Sequence, residues 1–194
     1  SSDRPGGIGG RDIYTATLQP DGTWGNVKNA GPTINTKKDD DAPFIHPDGK
    51  TLHFSSKGHK SIGGYDIFRS ELLSDGSWSE PTNLGYPVNT AEDDIYYVLS
   101  ADGKRGYYSS GKSGGYGKQD IYMVDPGNIG KKIVLAMISG IVTLNDIPVK
   151  ANIVVSDANK NNLVGTFSSN AATGKYLINL STGVNYNISF KIDS

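Results

Sequence analysis

Short apolar segments separated by turn residues run along the chain, and no stretch shows the spacing of a long amphipathic helix. Within residues 42–94 the strand-like segments lie at 43–45, 51–55 and 65–70, with a brief one after Trp78. An Asp-Gly pair at 48–49 supplies the positive φ that a hairpin turn requires. This region therefore predicts four short antiparallel strands.

A different pattern follows residue 125. Apolar and polar residues alternate over 149–155, 176–180 and 186–192, so that one face of each strand is expected in a core and the other in water. We predict a small antiparallel β-sandwich over residues 133–194, joined to the first domain by a turn-rich linker at 126–132. The predicted class is all-β.

The first region contains an internal repeat of 54 residues. Placing residues 1–40 on residues 55–94 without a gap gives 17 identities, against roughly two or three expected by chance. The repeated positions include Asp12, Asp66 and Asp120; Trp24 and Trp78; Asp39-Asp40 and Asp93-Asp94; and Asp48 and Asp102. Four strands per repeat of this length is typical of a β-propeller blade.

The repeated residues resemble the TolB-type, WD40-like propeller repeats of bacterial envelope proteins. The resemblance rests on the Pro-Asp-Gly-Lys turn at 47–50, the strand ending at Ser55, and the Asp-Ile-Phe and Asp-Ile-Tyr strands beginning at Asp66 and Asp120. It implies a partial propeller of about two and a half blades over residues 1–125. Closed propellers have four to eight blades, so we expect a fragment whose missing blades, or another chain, cover the open sheet faces.

The landmarks Gly140-Ile141-Val142, Pro148-Val149, 173–176 and 183–186 resemble the carboxypeptidase regulatory-like domain, a transthyretin-like sandwich without catalysis. The domain order resembles the OmpA-family envelope lipoproteins of Bacteroidetes, including components of type IX secretion and gliding. This resemblance implies a periplasmic protein associated with the outer membrane, whose partners are other envelope proteins. It implies peptidoglycan binding only through an OmpA-like domain that is absent from this sequence.

Composition narrows the function classes. The net charge is −1, which provides no basic field for nucleic acid or an anionic membrane. Cysteine is absent, which excludes thiolate metal sites and cysteine nucleophiles. The longest apolar run, 133–138, is too short to be a transmembrane helix. We expect no cofactor.

Acidic and histidine residues raise the question of metal binding. The pairs Asp39-Asp40 and Asp93-Asp94 could supply oxygen ligands to calcium, but recurrence at one blade position favours turns in which they accept backbone hydrogen bonds. The same recurrence favours an architectural role for Asp12, Asp66 and Asp120. His46, His53 and His59 have no counterparts in the other repeats, which argues against a metal site, and we expect a surface role for His46 and His53.

A glycan-binding or sialidase-like propeller is the alternative function. Two Asp-Gly turns before Trp24 and Trp78 superficially resemble an Asp-box, but Asp and Gly are adjacent here. A sialidase needs three arginines converging on a carboxylate, whereas nothing marks the four arginines of this chain as a cluster: Arg4, Arg11, Arg69 and Arg105. We therefore expect no enzymatic activity and favour a scaffold or protein-binding role.

Aromatic residues provide the remaining candidate surface. Trp24 and Trp78 occupy equivalent positions, which favours burial between neighbouring sheets. Tyr65 and Tyr116 follow glycines in loops and are the better candidates for an exposed binding surface.

Overall fold

The computed structural model describes residues 1–127 and 135–192, and within them all regular structure is β-strand. The chain divides into two compact units, Ser1–Lys132 and Ile133–Ser194. The expected all-β class is therefore confirmed. Most of the predicted linker, residues 128–132, lies outside the described part. No helix in the described ranges could cross a bilayer.

The described part of the first unit contains nine short strands. In chain order they are β1 (Tyr14–Leu18), β2 (Trp24–Asn29), β3 (Asp40–Ile45), β4 (Thr51–Ser56), β5 (Asp66–Glu71), β6 (Thr82–Asn83), β7 (Asp94–Leu99), β8 (Gly106–Ser110) and β9 (Asp120–Val124). They form three antiparallel sheets in sequence order, β1-β2, β3-β4-β5-β6 and β7-β8-β9. Successive sheets correspond to successive 54-residue repeats.

The four segments predicted in the second repeat correspond to the strands of one sheet. β3 and β4 include the expected residues, β5 begins one residue later than expected, at Asp66, and the fourth strand is β6. Trp78 itself forms only an isolated bridge with Leu72. No closed propeller is present in the described residues.

Neighbouring sheets of the first unit pack through two related cores. The first core contains Ile13, Ile34, Leu52, Phe54 and Phe68. The second core contains Ile67, Leu84, Val88, Tyr97 and Tyr108, of which Ile67, Val88 and Tyr108 lie one repeat after Ile13, Ile34 and Phe54. In both cores the isoleucine that follows the repeated aspartate comes from one repeat, and the aromatic rings come from the next repeat. The repeat in sequence is therefore also a repeat in packing.

Two β-bulges recur at the same position of successive repeats. The register shifts between Asp41 and Phe44 in β3 and between Ile95 and Val98 in β7. Ala42 has a φ of 50° and Tyr96 a φ of 62°, a left-handed conformation that L-residues rarely adopt. Neither position is glycine, so these bulges could not be predicted from the residue types.

The second unit contains seven described strands in three antiparallel sheets. They are β10 (Leu135–Ile141), β11 (Thr143–Leu144), β12 (Ile147–Pro148), β13 (Asn152–Asp157), β14 (Leu163–Ser168), β15 (Lys175–Ser181) and β16 (Tyr186–Lys191). The sheets are β10-β15, β11-β12 and β14-β13-β16.

One hydrophobic core joins the larger two sheets of the second unit. Ile153 and Val155 of β13 pack with Ile178 and Leu180 of β15, as the alternating pattern predicts. The pattern fails at the end of the chain. Phe190 is 45% exposed and Ile192 is 41% exposed, although both belong to the apolar set expected in the core.

Candidate functional site

The repeated aspartates before or at the start of the third strands bind their preceding loops in the same way. Asp12 accepts hydrogen bonds from the backbone N–H groups four and three residues before it, at 2.5 and 3.0 Å. Asp66 does the same at 2.6 and 3.3 Å, and Asp120 at 2.9 and 3.2 Å. Each carboxylate therefore orders the loop that leads into its own strand, a structural use that needs no ligand.

Asn35 and Asn89, at equivalent positions of successive repeats, each connect the third strand of their repeat to the segment after its fourth strand. The third and fourth strands are β1 and β2 in the first repeat and β5 and β6 in the second. Asn35 receives a hydrogen bond from Ile13 N and donates one to Ile13 O, at 2.7 and 2.9 Å. Asn89 makes the same two contacts with Ile67, both at 2.8 Å. Recurrence of Asn35 and Asn89 was visible in the sequence, but the role of each as a clamp on a β-strand backbone was not.

A second asparagine extends each clamp to the repeated aspartate. Asn29 Nδ2 donates to Asp12 at 2.7 Å, and Asn83 Nδ2 donates to Asp66 at 2.7 Å. The two asparagines of each clamp also contact each other, at 2.8 Å in the first repeat and 2.7 Å in the second. Asn29 and Asn83 belong to the 17 identities, and the sequence analysis missed their role.

The acidic pairs considered for calcium accept hydrogen bonds from the protein. Asp40 accepts from Thr36 N and Oγ1 at 2.5 and 3.0 Å, and Asp94 accepts from Thr90 in the same way at 2.6 and 3.0 Å. Burial disfavours the charged form of Asp40 and is the main reason that its pKa is raised.

The neighbouring carboxylates are also engaged. Asp39 accepts from Arg11 N and pairs with Lys57 at 3.1 Å, and the Lys57 bond lowers the pKa of Asp39. Asp93 accepts from Tyr65 N at 2.8 Å. Across the described ranges, no group of three or more acidic or histidine side chains is arranged to hold a metal ion.

The hairpin aspartates stabilise turns. Asp48 accepts from the N–H groups of Lys50 and Thr51, both at 2.9 Å. Asp102 accepts from Lys104 N at 3.1 Å and from Ser100 Oγ at 2.7 Å. These hydrogen bonds favour the charged carboxylates and lower the pKa of both, although partial burial of Asp48 acts in the opposite direction.

The predicted surface role of two histidines is wrong. His46 is 0% exposed and His53 is 3% exposed, because the third repeat covers the hairpin of the second. His46 Nε2 lies 3.2 Å from Ser100 O, and the His53 ring lies 4.9 Å from the Tyr97 ring. Burial is the main cause that lowers the pKa of His53 to about 3. His59 is exposed.

The expected burial of both tryptophans holds only in part. Trp78 is half-buried against the first core, whereas Trp24 is 70% exposed. The difference follows from the neighbours, because Trp24 has no described sheet before its own. Equivalent sequence positions therefore do not guarantee equivalent burial.

The two tyrosines proposed as a binding surface differ. Tyr116 is fully exposed. Tyr65 is half-buried, with Lys57 Nζ lying 4.5 Å from its ring centroid, and burial raises its pKa to about 12. The structure does not bring these residues into one pocket or cluster.

The arginines do not converge on a common centre. Arg11 pairs with Asp41 at 2.7 Å, and Arg69 pairs with Glu71. The Arg4 guanidinium lies 4.6 Å from the centroid of the Tyr14 ring.

The third sheet exposes an apolar face whose counterpart in the second sheet is covered. We define the outer face as Val98, Tyr107, Ile121 and Met123, which the strand register places on one side of β7-β8-β9. Their exposed fractions are 41%, 38%, 83% and 66%. The equivalent face of the second sheet carries Phe44, His53, Ile67 and Arg69, none of which is exposed. The sequence analysis expected uncovered sheet faces but did not identify this one.

Comparisons with known proteins provide no family assignment, since neither the family models nor the curated proteins searched include a match to this chain.

Proposed function

We propose that this chain is a non-enzymatic scaffold that binds other proteins through its β-sheets. In this proposal the first unit is a partial β-propeller of TolB-type repeats and the second is a transthyretin-like sandwich of the carboxypeptidase regulatory-like kind. Both would belong to an OmpA-family protein of the periplasm, associated with the outer membrane of a Bacteroidetes-like bacterium. Type IX secretion or gliding machinery is the setting that the sequence resemblance suggests.

The observation that carries the proposal is how the repeated polar residues are used. Asp12 and Asp66 each receive two loop N–H groups and one asparagine amide. A catalytic site requires side chains that are placed asymmetrically and aimed at a substrate. Here the same carboxylates recur with the same backbone partners, which supports a scaffold function.

The outer face supports protein binding. An apolar sheet face with residues as exposed as Ile121 and Met123 is the kind of surface that protein partners cover. No described strand pairs with the outer edge of β9, and a free sheet edge of this kind can accept another strand. Peptidoglycan tethering would reside in another domain of a longer protein, outside this chain.

Photocrosslinking in the bacterium that produces the protein tests the proposal. A photoreactive amino acid in place of Tyr107 is expected to crosslink an envelope protein in the outer-membrane fraction, and Ile121→Glu is expected to abolish that product. A probe at Lys160, an exposed residue of the second unit, is the control. Turnover of a sialoside or another glycan by the purified chain, or recovery of the protein in the cytoplasm, would overturn the proposal.

A further inference from the structure

The loop before the third strand presents one apolar side chain in each of the three repeats. Ile8, Ile62 and Tyr116 lie 54 residues apart at the same position of these loops. Ile8 is 40% exposed, Ile62 is 60% exposed and Tyr116 is fully exposed. A single exposed apolar residue is ordinary on a protein surface, but here one recurs in all three repeats. We call these three residues the anchors.

The repeated aspartates hold the anchors in fixed positions. The N–H group of each anchor donates to the aspartate four residues later, at 2.5 Å for Asp12, 2.6 Å for Asp66 and 2.9 Å for Asp120. The backbone of each anchor is therefore tied to the start of a β-strand, while its side chain projects into solvent. A partner that binds a surface ordered in this way loses little free energy in ordering the loops.

The anchors lie in basic loops. The three equivalent loops, residues 4–11, 58–65 and 112–119, contain five lysines or arginines and no acidic residue, although the chain as a whole has a net charge of −1. Lys60 and Lys118 form no ion pair with any residue that the structure describes. Each of the second and third loops therefore combines an apolar anchor with a lysine whose charge is not neutralised.

Two connecting segments join the three loops into one continuous surface. Gly10 N, in the first loop, donates to Lys38 O at 3.2 Å, and Lys57 N, directly before the second loop, donates to Asp39 O at 3.0 Å. The same two bonds recur one repeat later, at 3.4 and 3.1 Å, between Gly64 and Glu92 and between Gly111 and Asp93. We call the surface formed by the three loops and the two connecting segments the loop ridge.

From this arrangement we propose that the loop ridge binds an extended acidic segment of a partner protein. Carboxylates of the segment pair with Lys60 and Lys118, and its apolar side chains cover the anchors. Packed sheets lie about 10 Å apart and an extended chain advances about 3.3 Å per residue, so an apolar residue is needed at about every third or fourth position of the segment. The loop ridge and the outer face share no residue, so this inference goes beyond the proposed function.

The distribution of charge favours a peptide over a membrane or a long polyanion. Lys37 and Lys38 extend the positive charge between the first two loops, whereas Glu92 and Asp93 interrupt it before the third. An anionic membrane or a polyanion is attracted by a continuous field of positive charge. A peptide can instead place its carboxylates beside the lysines and leave the acidic positions without a charged partner.

Peptide binding tests the loop ridge directly. The probe is a fluorescein-labelled peptide of four Glu-Glu-Val units, and the receptor is the complete 194-residue chain. Fluorescence anisotropy is expected to show saturable binding that weakens as salt is added, because salt screens exposed charges. The matched peptides of Lys-Lys-Val and Glu-Glu-Ser units are each expected to bind at least tenfold more weakly.

Matched receptor variants test the charges. The double variant Lys60→Glu and Lys118→Glu is expected to bind the Glu-Glu-Val peptide at least tenfold more weakly. The control is the double variant Lys50→Glu and Lys104→Glu, which makes the same charge change at exposed residues of the hairpins before β4 and β8, at the opposite ends of those strands from the loop ridge. The control is expected to retain binding to within a factor of about two.

Serine variants test the anchors separately from the charges. Ile62→Ser and Tyr116→Ser are each expected to weaken binding several-fold. Leu73→Ser, at a residue that is 46% exposed between β5 and β6, is the control and is expected to leave binding unchanged. Circular dichroism checks that every variant keeps the wild-type fold.

The outcomes separate this inference from the proposed function. Absence of saturable binding up to about 1 mM peptide would overturn the inference, as would equal binding of the Glu-Glu-Ser peptide or equal losses in the control variants. Co-sedimentation with phosphatidylglycerol vesicles that Ile62→Ser abolishes and the Glu-Glu-Val peptide does not displace would assign the loop ridge to a membrane surface instead. If the peptide fails while the cellular crosslink at position 107 persists, the scaffold function stands and the loop ridge is not a peptide site.

Discussion

Ile67 and Ile121 occupy the same position in successive repeats, yet Ile67 is fully buried and Ile121 is 83% exposed. Both follow the repeated aspartate and both pair with the serine that precedes the last residue of the neighbouring strand. What differs is the environment beyond the third strand. Val88 and the aromatic rings of Tyr97 and Tyr108 pack with Ile67, whereas no described residue takes their place at Ile121.

Truncating these two isoleucines should therefore have unequal effects on stability. Ile67→Ala removes a fully buried side chain and is expected to cost about 2–5 kcal/mol. Ile121→Ala is expected to change the free energy of unfolding by less than about 0.5 kcal/mol, as surface substitutions usually do. Urea unfolding of the two variants and the wild type measures both values. Equal losses would show that the Ile121 face is covered in the isolated chain.

Glycine substitutions in the loop before the third strand give a second matched pair. A Cβ on Gly63 would lie 2.5 Å from Thr90 O, whereas a Cβ on the equivalent Gly117 would have Gln119 O as its nearest neighbour, at 3.7 Å. Gly63→Ala should destabilise the first unit by about 1–3 kcal/mol, the usual cost of overpacking, and Gly117→Ala should be neutral. Thermal unfolding followed by circular dichroism compares them, and a destabilised Gly117→Ala would contradict the open position of that loop.

The sequence predicted the repeating parts of this molecule better than its ends. Because the repeats align without a gap, their loops have equal lengths. The second repeat therefore has its expected strands, and Asp12 and Asp66 have equivalent partners. Periodicity states which residues share a face but not whether a neighbour covers that face. For this reason burial was wrongly expected for Trp24, and exposure was wrongly expected for His46 and His53, which the next repeat covers.

Removal of a clamp asparagine should be costly because it leaves a buried backbone N–H group without its partner. Asn89→Ala would unpair the buried Ile67 N–H, at a cost of about 1–3 kcal/mol, whereas Ile67 C=O would keep its bond from Leu84 N. Asn35→Ala should give a similar loss at Ile13. Chemical denaturation measures both, and hydrogen exchange should show a selective loss of protection at the Ile67 amide in Asn89→Ala. Unchanged protection at that amide would argue against the clamp.

His53 should make the stability of the first unit depend on pH. Its ring is 3% exposed and packs 4.9 Å from the Tyr97 ring, and its Nδ1 has no hydrogen-bond partner among the described residues. Burial, followed by the nearby Arg69 charge, lowers its pKa to about 3 in the folded state, against about 6.5 in an unfolded chain. The unfolded state therefore binds more protons than the folded state between these values.

Stability should consequently fall as the pH drops below about 6.5, by at most about 1.4 kcal/mol per pH unit from this one group. Above that pH His53 is neutral in both states and contributes no slope. The variant His53→Phe keeps an aromatic ring in the same packing and removes the titration. Urea unfolding at several pH values between 4.5 and 8 should show a smaller slope for the variant below pH 6.5 and parallel curves above it. If wild type and His53→Phe lose stability in parallel over the whole range, His53 is not the group that couples proton binding to the packing of the second and third sheets.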